Sequence, residues 1–395
     1  MRFATIRLIV ITLSLLAQAY LFVRIRQAIR SSSLNAVRKP QAIAVAGTAI
    51  FLLFLGNAYI MARPIPWTDP PTLAQIVLFY PPALWVLGAN FSALFLFTAR
   101  IAGWFGRQLV WIVRRLAGKV APPAVHFSRR RFLQSGAAAL AAAPVLLAGY
   151  GSAVARQHGE VQSLDLPFGR PLRVVQLSDI HAGLYMNRKQ MRRYAEQVMD
   201  LRPDLFVITG DFISNSLAFL PGCLEEMARV RARYGTFTVL GNHEHWYGGV
   251  GELRTIFQKS GIALLHNTHR VIRHEEGEFA VAGIDDLLAG RPDLAGALHG
   301  LEPGLPTLLL SHRPEIFPQA AARGISLTLA GHYHGGQLKL VLPEGDLSLA
   351  HIRTPYPEGL YRLEAAHLYV NRGLGTTFTP VRLNVPPEIT LFNLA

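Results

Sequence analysis

The amino-acid sequence predicts an α/β domain carried behind an all-α transmembrane region. Three observations predict it. The first hundred residues hold three long apolar stretches without a charged side chain; from residue 161 onward apolar, β-rich runs alternate with helical patterns; and five such runs each precede a short island of metal-binding side chains. With 51% hydrophobic residues and a mean hydropathy of +0.26, the 395-residue chain is more apolar than a soluble protein and longer than one typical domain.

Residues 8–23 (LIVITLSLLAQAYLFV), 41–62 and 73–99 are each near the roughly 20 residues that cross a hydrocarbon core. The loop 24–40 carries Arg24, Arg26, Arg30, Arg38 and Lys39, and the segment 100–131 carries eight Lys and Arg, whereas the loop 63–72 carries only Arg63. Positive-inside counting makes the two basic segments cytoplasmic and outweighs Arg2 and Arg7 on the opposite side. In 101–118, Trp104, Trp111 and aliphatic residues lie among spaced arginines, the pattern of an amphipathic helix in the headgroup layer.

Next, Ser128-Arg129-Arg130-Arg131-Phe132-Leu133-Gln134, the Gly/Ala-rich segment 136–150 and Ala153-Val154-Ala155 resemble a twin-arginine export signal with a small-residue cleavage site, Gln134 replacing the usual lysine. The alternative is an ordinary fourth span with a basic collar. Both send the residues after about 155 across the membrane. The expected organisation is a transmembrane region over 1–127, a signal or fourth span over 128–155, and the α/β domain over 156–395. The expected location is the bacterial cytoplasmic (inner) membrane, multi-pass, with the α/β domain on the outer, periplasmic side.

The net charge of +14 divides as +15 over residues 1–160 and −1 over the remainder. Because the basic excess flanks apolar stretches, it reads as topology-setting charge. A nucleic-acid partner, which requires a basic face on the folded domain, is not expected. Cys223 is the only cysteine, so no intrachain disulfide exists. After a Pro-Gly turn and before LEEMARVRARY it reads as a small residue at the start of a helix over 223–234; another helix is expected over 188–201.

The islands are Asp179-Ile180-His181, Gly210-Asp211, Gly241-Asn242-His243-Glu244, Ser311-His312 and Gly331-His332-Tyr333-His334, preceded by LRVVQLS, DLFVIT, FTVL, TLLL and SLTLA. Such runs read as buried strands, and open α/β sheets place ligands at one end of their strands. In extended chain residues i and i+2 point the same way, so Asp179 and His181 can serve one ion, as can His332 and His334. Glycines before Asp211, Asn242 and His332 permit sharp bends. Carboxylate, imidazole and amide donors without thiolates suit divalent Mn, Fe, Zn or Co in a catalytic site. The two oxygens of Asp211 can bridge two ions about 3.5–4 Å apart, and a water between them becomes an attacking hydroxide near neutral pH.

In order, Asp-x-His, Gly-Asp, Gly-Asn-His-Glu, His and Gly-His-x-His are the signature of the calcineurin-like metallophosphoesterase family, which the chain resembles from about 172 to its C-terminus. LRVVQLSDIHAG, LGNHEHW, LAGHYHGGQ and NRGLGTT look most like its bacterial membrane-associated branch. The resemblance implies a four-layer sandwich, two sheets flanked by helices. It implies that Asp179, His181, Asp211 and His334 hold one ion and Asp211, Asn242, His312 and His332 the other. It leaves His243 as the catalytic residue, steadying the phosphoryl group or protonating the departing oxygen.

Glu244 either orients the His243 imidazole or caps the following turn. Arg372 reads as a structural ion pair rather than a phosphate ligand. Asp285 and Asp286 resemble a position near the family site without support for a ligand role. His245, Trp246 and Tyr247 either line a substrate lip or pack beneath their loop. The function expected is hydrolysis of a phosphoester, lipid-linked or belonging to the envelope, with membrane lipid as the other partner. The alternatives are a nucleotide-sugar lipid pyrophosphatase and a non-catalytic envelope receptor.

Overall fold

The computed structural model describes residues 2–62, 65–116, 143–153, 159–377 and 379–395. The chain divides into two compact units, Met1–Pro66 with Val77–Tyr150, and Trp67–Ile76 with Gly151–Ala395. The first contains α1 (Arg2–Ser31), α2 (Arg38–Ala62) and most of α3 (Leu73–Leu116). All three are long and apolar enough to cross a membrane. Small residues let α3 approach α1, where Ala89 and Ala93 pack on Leu21. Trp85 Nε1 donates to Gln18 Oε1 at 2.8 Å and Asn90 Nδ2 to Ser14 Oγ at 2.9 Å. Side-chain polar groups within lipid need such protein partners.

The helix expected at 101–118 is not separate. It continues α3, 44 residues in all and about 66 Å long, roughly twice a hydrocarbon core. Gly103 and Gly106 are isolated, and Arg107, Arg114 and Arg115 are good helix formers, so nothing there stops the helix. The twin-arginine-like motif at 128–134 and Val154-Ala155 lie outside the described residues. Of the apolar segment 136–150, the described part, from 143, is helical.

The strands of the second unit are β1 (Glu160–Leu166), β2 (Leu172–Leu177), β3 (Leu205–Ile208), β4 (Thr236–Thr238), β5 (Ala263–Leu264), β6 (Thr268–His274), β7 (Gly277–Gly283), β8 (Thr307–Leu310), β9 (Leu327–Ala330), β10 (Lys339–Leu340), β11 (Leu347–Ser348), β12 (Gly359–Leu363), β13 (Ala366–Val370) and β14 (Glu388–Leu394). They form two six-stranded sheets, β1-β14-β2-β3-β4-β5 and β12-β13-β9-β8-β7-β6, and the small pair β10-β11. The central strands β2-β3-β4-β5 and β7-β8-β9-β13 run parallel.

Alternate residues of the two sheets meet in one core. Val174, Val207 and Phe237 of the first share a cluster with Val281, Leu308 and Leu329 of the second. The intervening residues face outward onto helices, as Ala282 and Leu309 do onto Leu294, Ala297 and Ala320. Burial on both faces explains why these strands read as unbroken apolar runs rather than alternating ones. Helix Arg188–Asp200 buries Met191, Ala195 and Val198.

The helix expected over 223–234 is Leu220–Met227, with Pro221 in its first turn. It is capped at Ala228, whose amide donates to the Leu224 carbonyl, and beyond it Tyr234 packs against the inter-sheet core. Cys223 is buried inside it, and burial pushes its thiol well above the usual range, which makes it inert. Residues 67–76, between α2 and α3, belong to this unit too. Trp67 packs on Phe219, ring centroids 6.2 Å apart, and Arg188 Nε donates to Asp69 Oδ2 at 3.2 Å.

Candidate metal centre

β2, β3, β4, β8 and β9 end two or three residues before Asp179, Asp211, Gly241, His312 and His332. Each island is therefore the loop leaving the carboxyl end of a parallel strand, and two sheets deliver them to one place. The structure brings all seven candidate ligands together. The facing donors form two groups, Asp179 with His181 and His334, and Asp211 with His312 and His332; His181, Asp211 and His243 form a third group linking them.

Asp179 divides its oxygens. Oδ2 accepts from Ser178 Oγ at 2.5 Å and from the His332 amide at 2.9 Å. Oδ1 is buried without a hydrogen-bond partner and faces His334 Nε2 at 3.3 Å and His181 Nε2 at 3.8 Å. Asp211 behaves alike. Its Oδ1 accepts from the His243 amide at 2.9 Å. Its Oδ2 lies 3.6 Å from His181 Nε2 and 3.4 Å from His312 Nε2, one nitrogen from each group.

Two pairs of imidazole nitrogens meet at 3.1 Å, His181 with His334 and His312 with His332. Asn242 Oδ1 is 3.2 Å from His312 Nε2. An ion bonded at about 2.1 Å with angles near 90–110° separates its ligand atoms by about 3.0–3.4 Å. The orphaned Asp179 oxygen and these spacings fit divalent ions.

Charge agrees with spacing. Burial alone raises the two carboxyls, but His334 and His312 around Asp179, and His312, His243 and His181 around Asp211, outweigh it and hold both well below the usual range. Both stay ionised. Burial, reinforced by neighbouring imidazoles, keeps His181 and His332 neutral, with lone pairs free to ligate. His312 resists burial because of Asp211 and is pushed up to about 10. The carboxylates thus already demand positive charge between them, which a cation satisfies by displacing that proton.

The route to this geometry differs from the alternation expected. Asp179, His181, Asp211, His332 and His334 have φ of +50°, +49°, +54°, +74° and +51°. They are left-handed rather than extended, so alternation does not align i with i+2. His332 and His334 consequently point to different groups, not to one ion. Left-handed non-glycine residues cost on the order of 1 kcal/mol or more each and gather where function demands them. Close approach of the backbone also matters. A Cβ at Gly331 would lie 2.3 Å from Asp179 Oδ2, and one at Gly241 2.2 Å from Asp211 Oδ1.

Glu244 caps the turn that follows, one of the two readings expected, and its carboxylate also reaches the preceding loop. Fully buried, it accepts from the amides of Asp211 (2.9 Å), Ile213 (3.2 Å) and Gly241 (2.9 Å), stapling the loop after β3 to the loop after β4. Burial and the Asp211 charge raise its carboxyl to about 7 against the pull of the Gly241 and Ile213 amides. The His243 ring is held elsewhere, Nδ1 lying 2.5 Å from the Ser214 carbonyl. Arg372 is an ion pair, its guanidinium bonded to Glu388 and, at 3.2 Å, to Glu160. The His245 ring turns to Asp285, at 2.6 Å, while Trp246 and Tyr247 are exposed beside His243.

Two arginines escaped the sequence reading. Arg313 is buried, with Nη1 2.6 Å from His332 Nε2, Nη2 3.2 Å from Asn242 Oδ1 and Nε 2.9 Å from Asp286 Oδ2. Its place directly after His312 was the available signal. Arg382 is fully buried without a carboxylate; Nη2 donates to the carbonyls of Arg372, Gly373 and Gly375 and lies 3.2 Å from His334 Nδ1. Nothing in local sequence marks it. Lysine cannot copy the planar fork of Arg313. Arg313→Lys is expected to weaken metal affinity about 10–100-fold, read as the Mn concentration for half-maximal activity.

A family model described as calcineurin-like phosphoesterase matches residues 172–336. An uncharacterised metallophosphoesterase of Bacillus subtilis, YkuE, is 32% identical over 68% of this chain and 97% of its own length. The phosphodiesterase YaeI of Escherichia coli is 28% identical over 68% of this chain and 99% of its own. A transmembrane protein with metallophosphoesterase domain from Danio rerio is 34% identical over 62% of this chain; the chain spans 59% of that relative. With two sheets between helices and its ionised and neutral donors gathered at their carboxyl ends, this membrane-associated chain belongs to the calcineurin-like phosphoesterase family and is a metal-dependent phosphoesterase.

Proposed function

We propose that the protein is a dinuclear phosphoesterase anchored in the bacterial cytoplasmic membrane, with its catalytic domain (156–395) on the periplasmic side. Asp179, His181, Asp211 and His334 hold one divalent ion, and Asp211, Asn242, His312 and His332 the other. The observation that carries this is Asp211 Oδ2, placed between a nitrogen of each group at 3.6 and 3.4 Å. Bound there, Mn, Fe, Zn or Co would neutralise phosphoryl oxygens and make a water nucleophilic near neutral pH.

His243 performs the proton step. Nδ1 donates to the Ser214 carbonyl, which leaves Nε2 directed at the site, 4.0 Å from Asp211 Oδ2. From there it steadies the phosphoryl group or protonates the departing oxygen. The Escherichia coli relative's name, phosphodiesterase, supports a diester, and the spans support a lipid-linked or envelope substrate. Positive-inside charge supports the outer side, as does packing of the weakly charged loop 67–76 on the catalytic domain. A pyrophosphatase acting on a cytoplasmic lipid precursor needs the opposite orientation, and a receptor has no need of the complete ligand set.

Full-length protein is expected to hydrolyse bis-p-nitrophenyl phosphate with Mn, to lose activity with chelator and to regain it with Mn. His243→Ala is expected to retain metal while losing about 10²–10⁴ in kcat. Wild-type protein that binds metal but leaves every phosphoester intact would establish the receptor instead.

A further inference from the structure

Directly beyond the His332–His334 island the chain builds a small apolar projection. β10 and β11 pair antiparallel, and the helix Leu349–Arg353 follows. Leu340, Val341, Leu342, Leu347, Leu349 and Ile352 are exposed, Val341 at 65%, Leu349 at 68% and Ile352 at 76%. So many large aliphatics in one short segment are a poor surface for water and a good one for a partner. The projection is joined to the site: a Cβ on Gly336, two residues after His334, would meet Ser348 Oγ at 2.4 Å and the Ala350 amide at 3.3 Å.

The surroundings identify what covers it. Leu338 bridges to Leu383, and the Lys339 amide donates to the Leu383 carbonyl at 3.0 Å. The adjacent Arg382 amide donates to the carbonyl of Gly151 at 3.3 Å, and Gly151 directly follows the apolar segment 136–150. The projection is therefore rooted where the chain arrives from that segment. Residues 67–76, the link between two spanning helices, are docked on the same unit. A domain tethered in this way meets lipid at high effective concentration. Lys339 is shared by Asp346 at 2.8 Å and Glu358 at 2.6 Å, and Arg353 beside Ile352 balances the exposed Glu344, so residues 338–353 carry no net charge that would hold their aliphatics away from the headgroup boundary.

We propose that residues 338–353 are a lipid-docking element, lying in the boundary between headgroups and acyl chains and presenting the metal-facing loops to phosphoesters at the bilayer surface. For its substrate class this rests on the phosphoesterase reading; the docking itself does not.

Full-length protein with Cys223→Ser and Val341→Cys, labelled with NBD and reconstituted into phosphatidylethanolamine–phosphatidylglycerol vesicles, tests it. Ala365→Cys, in the exposed β12–β13 turn, is the control. Blue-shifted emission quenched by acyl-brominated lipid is expected at 341 and not at 365. Water-like, unquenched emission at 341 overturns the proposal, as does shielding that grows with protein concentration in detergent, which would make a second copy the occupant. Leu349→Gln with Ile352→Gln is expected to raise KM for a phosphodiester lipid in vesicles at least about tenfold, the scale of one aliphatic burial lost. kcat and KM for soluble bis-p-nitrophenyl phosphate stay at the wild-type values. Equal losses on both substrates, or none, contradict docking. If wild type cleaves neither substrate, the phosphoesterase reading fails while the quenching result still decides the docking.

Discussion

Asp211→Asn is expected to lower kcat/KM on the order of a thousandfold, about 4 kcal/mol of transition-state stabilisation, and to leave the metal-free protein less stable than wild type near neutral pH. The carboxyl is buried among imidazoles, with Oδ2 between His181 and His312. An amide keeps one acceptor for the His243 amide but turns an NH2 toward the place where cations must sit. Removing the carboxylate also deprives the protonated His312 of its partner at 3.4 Å, so function and metal-free stability fall together. Melting scans with and without Mn check this. A metal-induced rise in Tm is expected in wild type and should largely vanish in the variant. Retention of a tenth of the activity, or an unchanged Mn-induced rise, would show that this residue does not bridge.

Glu244→Ala is expected to be the most destabilising single change near the site. Three buried amides, those of Asp211, Ile213 and Gly241, lose their acceptor together. At roughly 1 kcal/mol or more each, the loss is about 3 kcal/mol. For a domain of this size that lowers Tm by about 6–12 °C. The same amides position Asp211, so activity falls with stability. Glu244→Gln keeps one acceptor but brings an NH2 against N–H donors, and should lie between wild type and alanine. A Tm for Glu244→Ala within about 2 °C of wild type would show that the loops after β3 and β4 are held together by something else.

The parts legible in the sequence were those with a physical signature of short range. β2, β3, β8 and β9 stood out because burial on both faces makes them unbroken apolar runs, and the islands stood out because ligand-type residues followed each run at once. The three long apolar helices were legible for the same reason, length and uniform apolarity. What escaped depended on distant contacts or on backbone conformation. The left-handed φ of Asp179, His181, Asp211, His332 and His334 leaves no mark in residue order. Alternation therefore grouped His332 with His334, whereas the structure separates them.

Arg313 and Arg382 act through residues brought close only by the fold. The helix Leu220–Met227 ends earlier than its amphipathic pattern, which continues past it, while the packing of Tyr234 against the inter-sheet core is a distant contact that residue order does not show. α3 passed the expected break near residue 100 since changing polarity along a helix need not interrupt its backbone.

Electron paramagnetic resonance of full-length protein loaded with Mn(II) tests the shared carboxylate most directly. Two ions per chain with an exchange-coupled spectrum are expected, and the coupling should disappear in Asp211→Asn. A single ion per chain, or two ions giving uncoupled six-line spectra, in protein that still cleaves a phosphodiester would contradict the bridging role assigned to Asp211.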